Sequence, residues 1–254
     1  MNKYPHARCQ CNAACPNPPL KGEAFCSQHM NSCDRVAPLS GSEPAYEPDK
    51  WNLDNAIRHT HNCFMYAYNI IAPSQIEACK KDPKCDIPFF QPGAVSKFPK
   101  FNNVDAKTCP NLIIRQMGDN PNKIHPSDFE SKCPASFNKI ALVIDADQDY
   151  HFLRQDRPEA NSRSSIGYFS QKSGEMPVTN LDSLGHKIFD VQLANHNYTS
   201  IYRKDNLNYD KFCGYFCIPS TGPFYMRIGG RRVTKGKGKG KGKGKGKRNH
   251  KVKN

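Results

Sequence analysis

The sequence has no long apolar run. No stretch approaches the ~18 residues that a membrane-crossing helix needs, which excludes a helical span. The first 15 residues, MNKYPHARCQCNAAC, contain no apolar block of the kind a secretory signal carries, so no signal peptide is expected. That absence predicts an intracellular protein in a reducing setting, where clustered cysteines bind metal more readily than they pair. Apolar residues are scarce, at 37%, and mean hydropathy is -0.75. With 20 prolines and 17 glycines, part of the 254-residue chain is expected outside any packed core.

Acidic residues are missing from one region altogether. Residues 231–254 hold 12 Lys/Arg and no acid, which leaves 25 basic against 23 acidic residues elsewhere, a net of +2 out of +14. The body is nearly neutral, so the high pI does not mark it as a nucleic-acid binder. Lys and Gly alternate from Lys235 to Lys247. Glycine flexibility and like-charge repulsion disfavour both helix and strand there. The reading is a solvated basic tail over 229–254, with residues 231–254 attaching to nucleic acid or another anionic surface without sequence preference.

What the chain does have is cysteine, 12 in all. Five fall in residues 1–35, spaced Cys9-x5-Cys15-x10-Cys26-x2-His29, with Cys11 and Cys33 as further thiols. Zinc takes four such ligands in a tetrahedron, and so short a segment needs metal to fold. A zinc knuckle on Cys9, Cys15, Cys26 and His29 is expected, with Cys11 or His6 as alternatives to Cys9. Residues 36–50, rich in Pro, Ser and Glu, read as a linker. Residues 51–228 hold most of the aromatic and β-branched residues and read as the main domain. Cys213 and Cys217 lie four apart in a strand-like run and are expected to share a face. They read as core thiols or a disulfide, as do Cys79 and Cys85.

Within 51–228 a helix is expected from Cys63 to about Ala72, N-capped by Asn62. Strands are expected at 140–145, 149–156, 166–173, 187–191 and 212–219. One helix followed by a run of antiparallel strands gives the α+β class. The cap places Cys63 in a helical first turn, where the dipole lowers a thiol pKa and backbone N–H groups can hold an oxyanion. A thiolate nucleophile needs a base. His151 sits mid-strand between Tyr150 and Phe152 and faces away from both. If the next strand folds back as a hairpin, Gln171 lies opposite His151, where its amide oxygen can orient the imidazole; Asp182 is the alternative. A rival reading takes His59, His61 and Cys63 as a metal site.

The segments NCFMYAYN, IALVIDADQDYHFLRQD, GYFSQKSGEMPVTNLD and FCGYFCIP together resemble a poorly characterised papain-like, cysteine-peptidase-related family of bacteria and large DNA viruses. The resemblance spans about residues 51–220. It implies a papain-like core, a Cys63–His151 pair and, through its viral members, virion association as the alternative to an intracellular setting. Phe64 and Gln171 depart from the pattern, which has Tyr and often His there. The expected function is a thiol hydrolase or transferase acting on an amide, isopeptide or ester bond of a protein or peptide. Cys63 would be the nucleophile, His151 the base, Gln171 the orienting residue and Asn62 an oxyanion donor. The rival is a non-enzymatic nucleic-acid-associated or virion structural protein.

Overall fold

The computed structural model describes residues 7–102, 107–121, 123–158, 167–199 and 206–220. The basic tail, the attachment expected of it, and His6 lie outside the described residues. Five helices are described: α1 Pro48–Asn52, α2 Asn55–Thr60, α3 Cys63–Ala67, α4 Pro73–Lys81 and α5 Cys109–Asp119. Five strands are described: β1 His125–Ser127, β2 Phe137–Asp145, β3 Asp149–Gln155, β4 Phe169–Gln171 and β5 Lys211–Pro219. They form one antiparallel sheet in the order β1-β5-β2-β3-β4. The class is helices plus an antiparallel sheet, as expected of α+β. The topology is not a plain meander, because β5 inserts between β1 and β2.

Strand β2 is buried from Asn138 to Ile144 on both faces. Its apolar run is therefore continuous rather than alternating, as in any strand covered on both sides. Ile140, Leu142 and Ile144 pack with Phe152, Phe216, the helical residues Phe64 and Leu112, and Tyr68 just after α3. Ala141, Val143 and Leu153 face the other way, onto Phe25, Phe129, Phe189 and Tyr215. Each large apolar side chain so buried contributes about 1.5–3 kcal/mol.

The N-terminal segment belongs to this second face. Gln10 Oε1 accepts from the N–H groups of Phe189 and Asp190 at 2.6 and 2.9 Å, and Gln10 Nε2 donates to Lys187 O at 2.8 Å. Arg35 pairs with the buried Asp190 at 2.7 Å. The expected linker is also bound to the sheet. Gln155 Nε2 donates to Ala37 O at 2.9 Å, and Arg157 N–H to Pro44 O at 3.0 Å. Residues 7–50 thus pack as a layer of the main domain instead of a bead on a tether.

Helix α3 is shorter than expected. It ends at Ala67 with Tyr68 as C-cap and Asn69 at φ 53. Asn69 N–H bonds Tyr66 O and Ile70 N–H bonds Met65 O, each at 2.9 Å, which is a Schellman closure with Asn in the left-handed position. Pro73 opens α4 instead of following α3.

Three strand expectations change. Of the expected 166–173 strand, residue 166 lies outside the described residues and the described part is reduced to Phe169–Gln171. Residues 187–191 contribute single bridges, such as Ile188 to Phe169, and no ladder. Cys213 and Cys217 do not share a face. Opposite Leu142 and Val143, β5 skips a residue, and Gly214 takes φ +132. That bulge reverses the alternation, so Cys213 bonds Cys109 of α5 and Cys217 bonds Cys133.

A buried ion pair docks α3 on β3. Arg154 Nε donates to Asp156 Oδ1 at 2.7 Å, and its other nitrogens reach Tyr66 O at 3.1 Å and Tyr66 Oη at 3.0 Å. Ser170 Oγ bonds both Asp156 and Tyr66 Oη. Removing one partner strands a buried charge, at about 3–5 kcal/mol. Asp156→Ala is expected to lower the unfolding free energy by about that amount, measured by guanidinium titration.

Candidate functional site

Cys63 opens α3, held there by its neighbour. Asn62 Oδ1 accepts from Met65 N–H at 3.2 Å, and Asn62 Nδ2 donates to Phe90 O at 2.8 Å. Both ends of the Asn62 amide are therefore engaged. It fixes the start of α3 and ties it to the 86–100 loop, and an oxyanion would have to compete with Phe90 for that donor.

Strand β4 pairs with β3 only from Leu153 to Gln155. Among the described residues no strand lies beside the outer edge of β3 before Leu153, and Cys63 takes that place. The thiol donates to Tyr150 O at 3.8 Å, and Phe152 N–H points at the sulfur. The sulfur thus contacts the backbone on both sides of His151. Cys63 and His151 line one cleft of about 210 Å³, together with Asn62, Phe101, Lys107 and Asp149.

The ring of His151 is held from behind. Its Nε2 lies 2.8 Å from Gln171 Oε1. Gln171 Nε2 donates to Leu181 O and to Tyr198 Oη, each at 2.6 Å. A carbonyl only accepts, so the amide nitrogen faces Leu181 and Oε1 must accept from His151. The imidazole proton therefore sits on Nε2, and Nδ1 keeps its lone pair. Tyr209 stacks on the ring at 5.2 Å between centroids. Gln171 reaches His151 diagonally, since its direct partner across the ladder is Leu153. Both side chains leave the same face two residues apart, within reach of a long amide. Asp182 is turned elsewhere, accepting from the N–H groups of Leu184, His186 and Asn195.

Electrostatics differ from the expected activated thiolate. Burial pushes the Cys63 thiol up to about 12, and the Asp149 carboxylate adds to the rise. Burial also pulls His151 down to about 3, with His196 contributing. Helix α3 has only five residues, too few for its dipole to offset desolvation. At neutral pH the pair is therefore thiol and neutral imidazole.

The rival His59–His61–Cys63 metal site is not assembled. His61 Nε2 accepts from Ala72 N–H at 2.9 Å, and its Nδ1 lies 3.0 Å from Ile57 O. His59 turns to Glu175 at 3.3 Å.

The N-terminal ligand set does come together. The donor atoms of Cys9, Cys15, Cys26 and His29 all lie within 4.8 Å of one another. Cys9 Sγ and Cys26 Sγ are each 3.3 Å from His29 Nδ1, and Cys15 Sγ is 3.7 Å from Cys26 Sγ. Such spacings suit the edges of a tetrahedron whose metal–ligand bonds are about 2.0–2.3 Å. The group is able to hold a metal ion. Cys11 is not in it, because it bonds Cys33.

Eight cysteines form four disulfides: Cys11–Cys33, Cys79–Cys85, Cys109–Cys213 and Cys133–Cys217. This departs from the reduced chain expected of an intracellular setting. Spacing in the sequence offered no pairing for Cys109 or Cys133, whose partners are 104 and 84 residues away. The free thiols are Cys9, Cys15, Cys26 and Cys63. No described helix is long and apolar enough to cross a membrane.

No protein-family model matches the chain, and no solved structure matches it. Over 149 residues it is 29% identical to the insoluble matrix shell protein 1 of Ruditapes philippinarum, covering 59% of this chain and 79% of that protein.

The buried histidines weaken the fold in acid. His151 and His61 stay neutral when folded, at about 3 and about 4, and would protonate near 6.5 once unfolded. Between those values the unfolded state binds more protons, so stability must fall as pH falls. The guanidinium midpoint is expected to drop steadily from pH 7 to pH 4, and less steeply in His61→Gln.

Proposed function

We propose that the chain is a thiol hydrolase or acyl transferase acting on an amide, isopeptide or ester of a protein or peptide, on a papain-like core. The observation that carries this is the fixed tautomer of His151. With Nε2–H committed to Gln171, Nδ1 is the ring nitrogen left to take a proton, on a cleft shared with Cys63. It also matters that the other 11 cysteines are spent on disulfides or on the ligand group, and Cys63 on neither.

The chemistry follows from the neutral pair. The Cys63 thiol gives its proton to His151 Nδ1 as the sulfur attacks the carbonyl carbon. The tetrahedral adduct collapses to a thioester, and the imidazolium returns the proton to the departing amine or alcohol. Water or an acceptor amine then cleaves the thioester, with His151 again the base. Gln171 fixes the ring without supplying charge. Lys172 is buried near the sulfur, and its Nζ donates to Arg58 O and Gly174 O at 2.6 Å; burial pulls its ammonium down to about 7, and its protonated form favours a developing thiolate. Asn62 positions Cys63.

A thiol-reactive acyl probe tests this. Peptide mapping is expected to find acylation at Cys63, absent in Cys63→Ala. His151→Ala should slow it by about 10²–10⁴, the usual share of general base catalysis. Gln171→Leu should slow it less while leaving the fold intact. Equal labelling of all free thiols, indifferent to His151, would overturn the proposal.

We further propose that Cys9, Cys15, Cys26 and His29 bind structural zinc. Because Cys26 and Phe25 sit in the same apolar cluster as Leu153 and Phe169, chelation should lower the melting temperature of the whole domain in one transition. Zinc stoichiometry near one, lost in Cys26→Ser, is the expected measurement.

The disulfides and the likeness to a shell matrix protein favour a second reading, a disulfide-stapled structural component of an extracellular matrix. Both readings require an oxidised chain. Alkylation after denaturation in chelator should modify four of the 12 cysteines without reductant and all 12 with it. Retention of the matrix role by Cys63→Ala would favour the structural reading. Salt-sensitive nucleic-acid attachment through residues 231–254 is a proposal on composition alone, tested by deleting them.

A further inference from the structure

We infer that Asn197 is an N-glycosylation site, which takes an oligosaccharide on Nδ2 as the chain passes through a secretory compartment. The inference goes beyond both readings of the function and does not depend on the Cys63–His151 pair. With the matrix reading it shares only the oxidising setting. Two observations with no residue in common carry it: the disulfides, and the local geometry of residues 197–199. Four disulfides tie up eight cysteines. Pairing on that scale belongs to the oxidising lumen in which secreted chains fold. The same lumen holds the machinery that reads Asn-x-Ser/Thr with x other than proline. Asn197-Tyr198-Thr199 is the one such triplet in the sequence, so a single site is at stake.

Tyr198 anchors the triplet. Its side chain is buried, with the hydroxyl 3.0 Å from Gln171 Oε1 and the ring edge-on to Tyr209 at 6.1 Å. Its N–H donates to Leu207 O at 2.9 Å, beside the antiparallel bridge of Asn197 to Asn208. Neighbours on an extended backbone point opposite ways. With Tyr198 turned in, Asn197 and Thr199 turn out, and both are partly exposed. Asn197 Oδ1 accepts from the N–H and the hydroxyl of Thr199 at 3.1 and 2.7 Å. That fixes which way the amide faces. Its Nδ2 is open to solvent, and among the described residues no group bonds it. A sugar on that nitrogen therefore displaces no hydrogen bond of the fold. Asn195 shows the contrast two residues earlier: it is buried, and its Oδ1 holds Ser183 Oγ at 2.7 Å and Asn197 N–H at 3.0 Å.

The same anchoring sets the order of events. A transferring enzyme must grip the triplet as free chain, and in the fold the Tyr198 backbone and hydroxyl are both engaged. Transfer therefore precedes folding. The donor is an oligosaccharide on a lipid pyrophosphate. Asn197 Nδ2 attacks the anomeric carbon, the N–C bond forms as the C–O bond to pyrophosphate breaks, and the pyrophosphate leaves with the electron pair. The amide gives up one proton, and nothing is oxidised or reduced.

The test produces the full chain behind a cleavable leader in a eukaryotic cell line. The chain is weighed before and after treatment with peptide N-glycosidase, which leaves Asp where a sugar-bearing Asn stood. One glycan per chain is expected, with residue 197 recovered as Asp. Asn197→Gln and Thr199→Ala should each remove it. Thr199→Ser keeps the hydroxyl and should keep the sugar. All three variants are expected to close the same four disulfides, because neither side chain packs inside. Chain retained in the secretory lumen is measured in the same way, since a sugar added before folding is present whether or not the chain is exported. An unmodified Asn197 in chain from the medium, or from the lumen where none is exported, overturns the proposal. So does a glycan that survives Asn197→Gln. Acyl labelling of Cys63 is expected to be the same with and without the sugar, so either proposal can fail alone.

Discussion

Strand β3 is covered along only part of its outer edge, and the candidate site depends on that gap. Strand β4 stops at Gln171, opposite Leu153. Beyond it the carbonyl of Tyr150 and the N–H of Phe152 need partners, since unpaired buried backbone groups are costly. The Cys63 sulfur supplies both contacts. The truncation thus brings a helical thiol against the sheet at the position of His151. It also leaves Gln171 at the end of β4, where its side chain reaches diagonally to the ring. A β4 three residues longer, to Gly174, would pair as far as Tyr150 and exclude the thiol.

The same burial that encloses Cys63 and His151 keeps both uncharged. Desolvation outweighs every local charge at Cys63 and His151. A preformed thiolate–imidazolium pair would need compensation that a neutral Gln171 cannot give. On the proposed reading, proton transfer would be part of the attack itself. The cost of a buried neutral imidazole reappears as acid sensitivity.

The second face of the sheet explains why the cysteine-rich segment is present in the core. Without residues 7–50, Leu153, Phe169 and Ile188 would lose Phe25 and Ala37 as neighbours. The ligand group and the Cys11–Cys33 bond hold this layer in place, and Gln10 and Arg35 register it on residues 187–190. Ligand spacing was readable because tight turns confine Cys26 and His29 to one loop. The packing of the segment was not, since Pro- and Ser-rich stretches look alike whether tethered or bound to a sheet edge.

Local chemistry decided much on its own. The Asn62 cap, the apolar strands β2 and β3, and the choice of Cys63, His151 and Gln171 as candidates could be read from neighbouring residues, because caps and strand alternation are short-range. Other features depended on contacts between distant segments. A bulge at Gly214 sent Cys213 and Cys217 to opposite faces, Asn69 ended α3 early, and pairing of Cys109 and Cys133 required β5 to enter mid-sheet. Above all, local sequence placed the thiol where a dipole would activate it, whereas tertiary burial raised its pKa. Desolvation depends on what covers a group, and the cover comes from β3 and from residues tens of positions away.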